Sequence, residues 1–488
     1  MERERRNGVE LKRRVKQGPG PRGAAVALVA LALSGCGTLA PKYTRPEAPI
    51  PATWPSGPAY QEQKEQPGKP PVAALSWRDF FNNEKLRGLI TLALENNRDL
   101  REAALNIERA RAIYRIQRAP LFPFVNASGV GNVQRVPADL SSTREADTFE
   151  QYSATVGLTS YELDFFGRVR SLRNQALQQF FATEEARRSA QISLVAEVAQ
   201  SWLTLAADRE LLGLAQETLK SHQATYDLTK RRFDVGVASA LDVRQAQTTV
   251  ESAKVDIARY TGLVAQDENA LRLLVGASLP PDSLPGALTS VTDLEEIPAG
   301  LPSEVLQCRP DILAAEHQLE GAYANIGAAR AAFFPRIALT ANAGVASSEL
   351  EGLFESGSGT WLFAPRIDLP IFNAGSLRAQ LKVSQVDRDI FLSRYERAIQ
   401  SAFREVADAL AQQGTIGNQM AAQQALVDAT TEAYKLSEAR FTKGIESFLT
   451  VLDSQRALYS AQQNLITIRL LRLTNEVTLY RVLGGGAA

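Results

Sequence analysis

An internal duplication constrains the fold of this chain more than any other feature. The first repeat covers residues 76–279 and the second covers 280–488, and the segment 226–247 recurs as 434–455 with nine identical residues. Chance does not hold one register over so many identities, so the two repeats share one fold. The identical residues, each recurring 208 positions later, are Tyr226, Leu228, Arg232, Phe233, Gly236, Ser239, Leu241, Val243 and Gln247.

Each repeat predicts a helix, two strands and a long helical hairpin. No proline lies between residues 138 and 279 or after Pro370, and these stretches are rich in Ala, Gln, Glu, Leu and Arg, which favour helices. The predicted hairpins cover 168–276 and 376–483. The longer helix of each hairpin has about 65 residues, or roughly 100 Å, so it must lie in a bundle or a helical cylinder.

Two segments of each repeat alternate between apolar and polar residues, which predicts β-strands. By itself such a segment fits a hairpin in a soluble protein. In a chain that also has a long helical region and a lipoprotein signal, which is described next, a membrane strand is favoured. Four strands cannot close around a water-filled bore, so a channel would need several chains, and three chains would supply twelve strands. The predicted strands are 122–135, 150–164, 334–347 and 358–371.

The N-terminus predicts a lipoprotein signal. Basic residues precede the apolar stretch 24–33, and the order Leu-Ser-Gly then leads into Cys36. This pattern is typical of a signal peptide, here residues 1–35, that is cleaved before a cysteine. We therefore expect an N-acyl diglyceride lipid on Cys36, followed by a proline-rich, extended tether over 36–75.

Composition argues against several classes of protein. Lys+Arg and Asp+Glu are both 54, whereas a nucleic-acid-binding protein carries a basic excess. Two cysteines and two histidines are too few and too scattered for a metal site or a nucleophile–base pair, so we expect no enzyme and no cofactor beyond the lipid. No stretch of about 20 apolar residues follows the N-terminus, so the chain could cross a membrane only as a closed β-barrel.

Several motifs together resemble one family. The lipobox at Cys36 and the duplicated helix–strand–strand–helix plan accompany an Arg-Pro-Asp-Ile motif at 309–312, the segment 451–456 and a C-terminal run of three glycines. In this combination the chain is similar to the TolC-like outer membrane factors, in their OprM-like, NodT-type lipoprotein branch. The resemblance extends from Cys36 to the end of the chain.

This resemblance implies a mainly α fold with a small β part. As a homotrimer, the chain would form a 12-stranded transmembrane β-barrel in the outer membrane of a Gram-negative bacterium, continued by a long α-helical barrel in the periplasm. A periplasmic adaptor (membrane fusion) protein and an inner-membrane pump, RND-type, would be its partners. The chain would be the exit duct for drugs or other small molecules. A pore-less tethering lipoprotein and the outer channel of a type I-like exporter are the alternatives.

The resemblance also implies a periplasmic gate after the second turn. Its residues would be Leu449, Asp453 and Arg456, at i, i+4 and i+7 on one helix face, with Asp242 in the matching turn of the first repeat. The family archetype carries a second Asp where this chain has Thr450. The gate would therefore rest on Asp453 and Arg456, whose ordinary alternative is a solvated ion pair within the helix.

The two turns between the hairpin helices are the expected adaptor contacts. In each turn a glycine would end one helix and a serine would cap the next. The archetype has Tyr and Arg where this chain has Phe441 and Glu446. The predicted contact residues are Arg232, Phe233, Gly236, Ser239, Arg440, Phe441, Gly444 and Ser447.

Overall fold

A computed structural model describes residues 37–60, 75–291, 294 and 303–486 of the chain. The expected signal peptide and Cys36 lie outside the described residues. The prediction of a mainly α fold with a small β part is confirmed. Among the described residues, no helix combines the length and apolarity that crossing a membrane requires.

The first repeat contains, in its described part, five α-helices and two strands. The long hairpin comes last, as predicted. The bounds are α1 Trp77–Phe80, α2 Glu84–Asn96, α3 Arg98–Arg118, β1 Val125–Val136, β2 Asp147–Leu163, α4 Arg168–Asp234 and α5 Ala240–Val275.

The described part of the second repeat contains three α-helices and two strands in the corresponding order. Short 3-10 turns occupy parts of the connections in both repeats. The bounds are α6 Pro310–Ala331, β3 Arg336–Ser347, β4 Gly359–Asp368, α7 Ser376–Thr442 and α8 Phe448–Val482.

The two long helices have the same length. Both α4 and α7 contain 67 residues, and their hairpin partners α5 and α8 contain 36 and 35. On α4 the most buried stretch, 194–207, combines small residues such as Ala196, Ala199 and Ala206 with large ones such as Trp202 and Leu205. Small side chains let neighbouring helices approach closely, because little volume separates their backbones.

The strands form one antiparallel sheet within a compact unit that contains 37–43, 114–175 and 322–387 of the described chain. The order is β1-β2-β3-β4, so the sheet joins the two repeats where β2 pairs with β3, and β1 and β4 are its edges. A bulge interrupts β2 between Leu158 and Tyr161, where Ser160 has a φ of 54°. The described strands overlap all four predicted ones.

A second compact unit contains, of the described chain, residues 44–60, 75–113, 176–291, 294, 303–321 and 388–486. Tyr480 is central to one part of its core, because its ring stacks on Phe80 at a centroid distance of 4.4 Å and its hydroxyl donates to the Leu75 carbonyl at 3.0 Å. Gly485 passes directly over this ring, and a Cβ there would overlap it. The Tyr480 ring thus gives a packing reason for the middle glycine of the C-terminal run.

Residues 37–60 contain no helix or strand, in keeping with their prolines. Arg45 makes a bidentate ion pair with the buried carboxylate of Glu316, at 2.7 Å for both bonds. Trp54 stacks on Phe403 at a centroid distance of 4.9 Å. Arg45 and Trp54 therefore fix this described part of the expected tether to helices of the second unit.

Candidate gate and helix tips

The two turns between the hairpin helices close in the same way. Gly236 and Gly444 have φ values of 80° and 77°, a left-handed conformation that glycine adopts without strain. In the first turn the Val237 N–H donates to the Arg232 carbonyl at 2.8 Å, and the Ile445 N–H makes the equivalent bond to Arg440 at 2.9 Å. These backbone bonds satisfy carbonyls at the helix ends, as C-terminal caps do.

The helix caps after the turns differ. Ser239 accepts a hydrogen bond from the Asp242 N–H at 3.1 Å, and the Asp242 carboxylate accepts one from the Ser239 N–H at 2.9 Å. This reciprocal capping box occupies the Asp242 carboxylate. The Ser447 hydroxyl caps no backbone N–H of α8 and instead lies 3.2 Å from the Thr450 hydroxyl. Asp242 thus has a structural role, and its part in a gate stays a prediction.

An aromatic contact holds the two turns together. The Arg232 guanidinium lies over the Phe441 ring, 4.6 Å from its centroid, and also donates to the Phe441 carbonyl at 3.4 Å. Phe441 is only 8% exposed and packs on Phe448 in an apolar cluster. Its side chain therefore supports the tips from inside. The rest of that cluster is Ala246, Val451 and Leu452.

Exposed aliphatic side chains surround the tips, and sequence reasoning missed them. Val235, Val237 and Ile445 project from the two turns and are mostly exposed. The signal was present in the sequence, since apolar residues are unusual in a solvent-exposed turn of six residues. Glu446, which departs from the family archetype, pairs with Arg440 at 2.8 Å.

The expected gate residues lie on an exposed face near the start of α8. Leu449, Asp453 and Arg456 are all exposed, as their spacing predicts. In the described part of the chain, neither Asp453 nor Arg456 takes part in an ion pair. The role of these residues in a gate, and the ordinary alternative of a solvated pair within the helix, both stay predictions. Both charges remain available to groups outside this chain.

Two buried polar side chains near the expected gate residues were not identified from the sequence. His222 of α4 is 6% exposed, and its Nδ1–H donates to the Thr249 carbonyl of α5 at 3.1 Å. The His222 Nε2 and the Gln455 amide of α8 are buried without a hydrogen-bond partner. Burial lowers the pKa of His222, and the positive charge of Arg456 lowers it further. The lowered pKa keeps the imidazole of His222 uncharged at neutral pH.

No metal centre is formed by the described residues, because no three His, Cys, Asp or Glu side chains converge there. Cys308 is a free, exposed thiol. The expected lipid site at Cys36 lies outside the described residues, directly before Gly37. The residues that follow Gly37 pack closely on other parts of the first unit. The Leu39 carbonyl accepts a hydrogen bond from Arg330 at 3.2 Å, and a Cβ on Gly167 would come within 2.8 Å of Thr38 Cα.

Comparisons with known proteins agree with this architecture. The family model described as outer membrane efflux protein matches residues 89–277 and again 301–485, once in each repeat. The toluene efflux pump outer membrane protein TtgC of Pseudomonas putida is 54% identical, over 95% of both chains. The antibiotic efflux pump outer membrane protein ArpC of Pseudomonas putida is also 54% identical, over 95% of both chains.

A solved structure shows the same fold. The open state of the MtrE outer membrane channel of Neisseria gonorrhoeae is 39% identical and superimposes with a TM-score of 0.83, over 92% of this chain and 99% of that one. The match includes both the four-stranded sheet and the long helical hairpins. This solved structure and the family model, which matches once in each repeat, indicate the same family. This chain therefore belongs to the outer membrane efflux protein family, and it serves as an exit duct for efflux at the outer membrane.

Proposed function

We propose that three copies of this chain, each anchored by a lipid on Cys36, form the gated exit duct of a tripartite efflux pump. The sheet supports the trimer, because it has four strands and two unpaired edges, β1 and β4. Three such sheets joined edge to edge give twelve strands, enough to enclose a water-filled bore. Edge pairing would also satisfy the backbone groups that the edge strands leave open.

The observation that carries the gate is the exposed, unpaired state of Asp453 and Arg456. Three copies around an axis would bring three carboxylates and three guanidinium groups close together. Equal charges alone would repel, whereas Asp453 of one protomer can accept bonds from Arg456 of the next. Leu449, one turn nearer the tip, would add an apolar ring to the constriction. Charged rings of this kind also select among ions.

The exposed turns support a periplasmic adaptor as the direct partner, with an inner-membrane pump, RND-type, behind it. Val235, Val237 and Ile445 offer apolar contact area on two turns that the contact between Arg232 and Phe441 joins. A rigid apolar patch binds at lower entropic cost than a mobile one. Because the relatives serve toluene and antibiotic efflux, we propose that drugs and small apolar compounds pass through this duct.

A planar-bilayer measurement tests the duct and the gate together. Purified trimers of the wild type would be compared with Asp453→Ala and Arg456→Ala, and with Lys435→Ala as a control for losing an exposed charge elsewhere. We expect a small wild-type conductance that rises in both gate variants and stays unchanged in the control. Inserted trimers that conduct equally in all four forms would refute the gate. Inserted trimers that never conduct would favour a pore-less tether.

A further inference from the structure

The internal duplication contains information about the contact between copies of this chain. Where the repeats meet, β2 pairs with β3 with Leu163 opposite Ile337. Immediately beyond these strand ends, Phe166 stacks on Phe334 with a centroid distance of 4.7 Å and an interplanar angle of 20°. This contact, which we call the aromatic seam, joins the second strand of the first repeat to the first strand of the second.

Both members of the aromatic seam have counterparts in the other repeat. The order Phe-Pro before β3 recurs before β1, so Phe122 corresponds to Phe334. The order Leu-x-x-Phe at the end of β2 recurs at the end of β4, so Phe372 corresponds to Phe166. Within one chain these counterparts cannot meet in the same way, because β1 and β4 are opposite edges of the sheet.

The counterparts have the exposure expected of a contact surface without its partner. Phe372 is 89% exposed, its neighbour Ile371 is 93% exposed, and Phe122 is 57% exposed. Two adjacent apolar side chains with so little cover are unfavourable in water or among lipid head groups. They mark a surface that another apolar surface covers.

We propose that Phe122 of one protomer stacks on Phe372 of its neighbour, forming a second aromatic seam that fixes how β1 pairs with β4 between copies. The inference rests on the proposed trimer. Transferring the pairing of Leu163 with Ile337 places Leu369 opposite Val125 of the neighbour. The backbone would supply the pairing, and the rings would select its register, since a slip of one residue turns every side chain to the other face.

A proline supports this register. Pro365 lies within β4 and has no N–H to donate to a neighbouring strand. Its counterpart in β2, four residues before Leu163 as Pro365 is four before Leu369, is Thr159. Thr159 falls inside the bulge, where pairing between β2 and β3 is interrupted. The proposed seam therefore places the missing donor at a position where the internal seam makes no pair either.

The two seams differ in charge. Beside the internal seam, the buried Glu162 carboxylate accepts bonds from Arg168 and pairs with Arg336 at 2.6 Å. The counterpart of Arg336 in the first repeat is Phe124, so this ion pair does not recur between copies. The counterpart of Glu162 is Asp368, whose carboxylate pairs with Arg366 of the same strand at 2.9 Å, so its charge has a partner within β4.

Disulfide trapping tests the register in full-length protein carrying Cys308→Ser. Val125→Cys with Leu369→Cys should give covalently closed trimers on a non-reducing gel after mild oxidation, since cysteines on directly opposite residues can bridge. Val125→Cys with Ile367→Cys, shifted by two residues, is the matched control and should cross-link at least fivefold less. Better trapping in the shifted pair would overturn the register.

Coupling between the rings is the second readout. Phe122→Ala and Phe372→Ala should each lower the temperature at which trimers dissociate in detergent. The double variant should dissociate at the same temperature as the less stable of the two single variants, because either substitution alone already removes the stack. Phe354→Ala, which removes an exposed ring elsewhere in the same unit, should have no effect. Additive losses would refute the stack while leaving the trimer intact. Failure of the wild type to form trimers by native mass spectrometry would refute the proposed function itself.

Discussion

A pair of carboxylates from adjacent helices illustrates what single residues contribute. Asp267 of α5 lies beside Asp208 of α4, and burial, followed by the negative charge of Asp208, raises the pKa of Asp267 from 3.8 to about 6. The folded state therefore favours the protonated form of the Asp267 carboxyl, and this contribution to stability is complete below the ordinary pKa of 3.8. That contribution is lost as the pH rises through about 6, so at neutral pH the charged pair strains the hairpin.

Asp267→Asn should remove this strain. We expect its thermal unfolding midpoint to exceed that of the wild type at pH 8, by about one or two degrees since the site is partly exposed, and the two midpoints to converge below pH 4. Circular dichroism melts in detergent at both pH values measure this. Asp408→Asn, an exposed change on α7, serves as the control. A midpoint that is still higher in Asp267→Asn than in the wild type at pH 4 would contradict this explanation.

His222 has the opposite pH dependence. Its pKa is lowered, so the uncharged imidazole stabilises the fold above pH 6.5, and that contribution is lost as the pH falls through the lowered value. His222→Gln retains a donor for the Thr249 carbonyl but does not titrate. The variant should therefore lose less stability than the wild type between pH 7.5 and 4.5, followed by fluorescence melts. Equal losses of stability in the variant and the wild type would refute this prediction.

The two kinds of site residue were not equally predictable from sequence. Spacing alone places Leu449, Asp453 and Arg456 on one helix face, and the structure shows that face exposed. The burial of His222 and Gln455 could not be predicted, because it depends on which faces of three helices pack together. Periodicity indicates which side of a helix is apolar but not which neighbour covers it.

At the scale of elements, the two turns provide an internal control for helix capping. Ser239→Ala removes a capping box and should lower the free energy of unfolding by about 1 kcal/mol. Ser447→Ala removes a hydroxyl that caps no backbone N–H, so its cost should stay within about 0.5 kcal/mol. Denaturant titration of both variants measures the difference. Equal costs would show that the cap is not what stabilises α5.

Strand and helix boundaries followed from sequence where local chemistry sets them. The long helices begin and end within two residues of the predicted hairpins, because glycine and proline mark their limits. β4 ends at Asp368, short of the predicted 371, since Pro370 cannot donate to a ladder. The bulge in β2 was not predicted, because a positive φ at Ser160 leaves no mark in the hydrophobic pattern.

At the scale of the whole molecule, the duplicated halves are not two separate domains. Each compact unit takes segments from both repeats, because β2 of the first repeat pairs with β3 of the second. Sequence similarity divides a chain by ancestry, whereas packing divides it by contact. The boundary between the repeats at residue 280 therefore reflects the duplication of the sequence and does not separate the two compact units.

The proposed lipid on Cys36 should be dispensable for assembly. Cys36→Ser should lose the acyl mass by mass spectrometry but still form trimers, because the sheet edges β1 and β4, which we propose as the contact between copies, do not include the lipid. Cys308→Ser should keep both the lipid and the trimer. Unlipidated protein that never reaches the outer membrane as SDS-resistant or cross-linkable trimers would contradict this prediction.

The equal length of α4 and α7 limits how this chain can change. Since both helices have 67 residues, the turns that follow them end level enough for Arg232 to contact Phe441. Seven extra residues in one helix alone would displace its turn by about 10 Å and break that contact. Tolerated insertions and deletions should therefore occur in pairs, one in each half. A change in the length of one long helix therefore requires the same change in the other, so the two repeats can change in length only together.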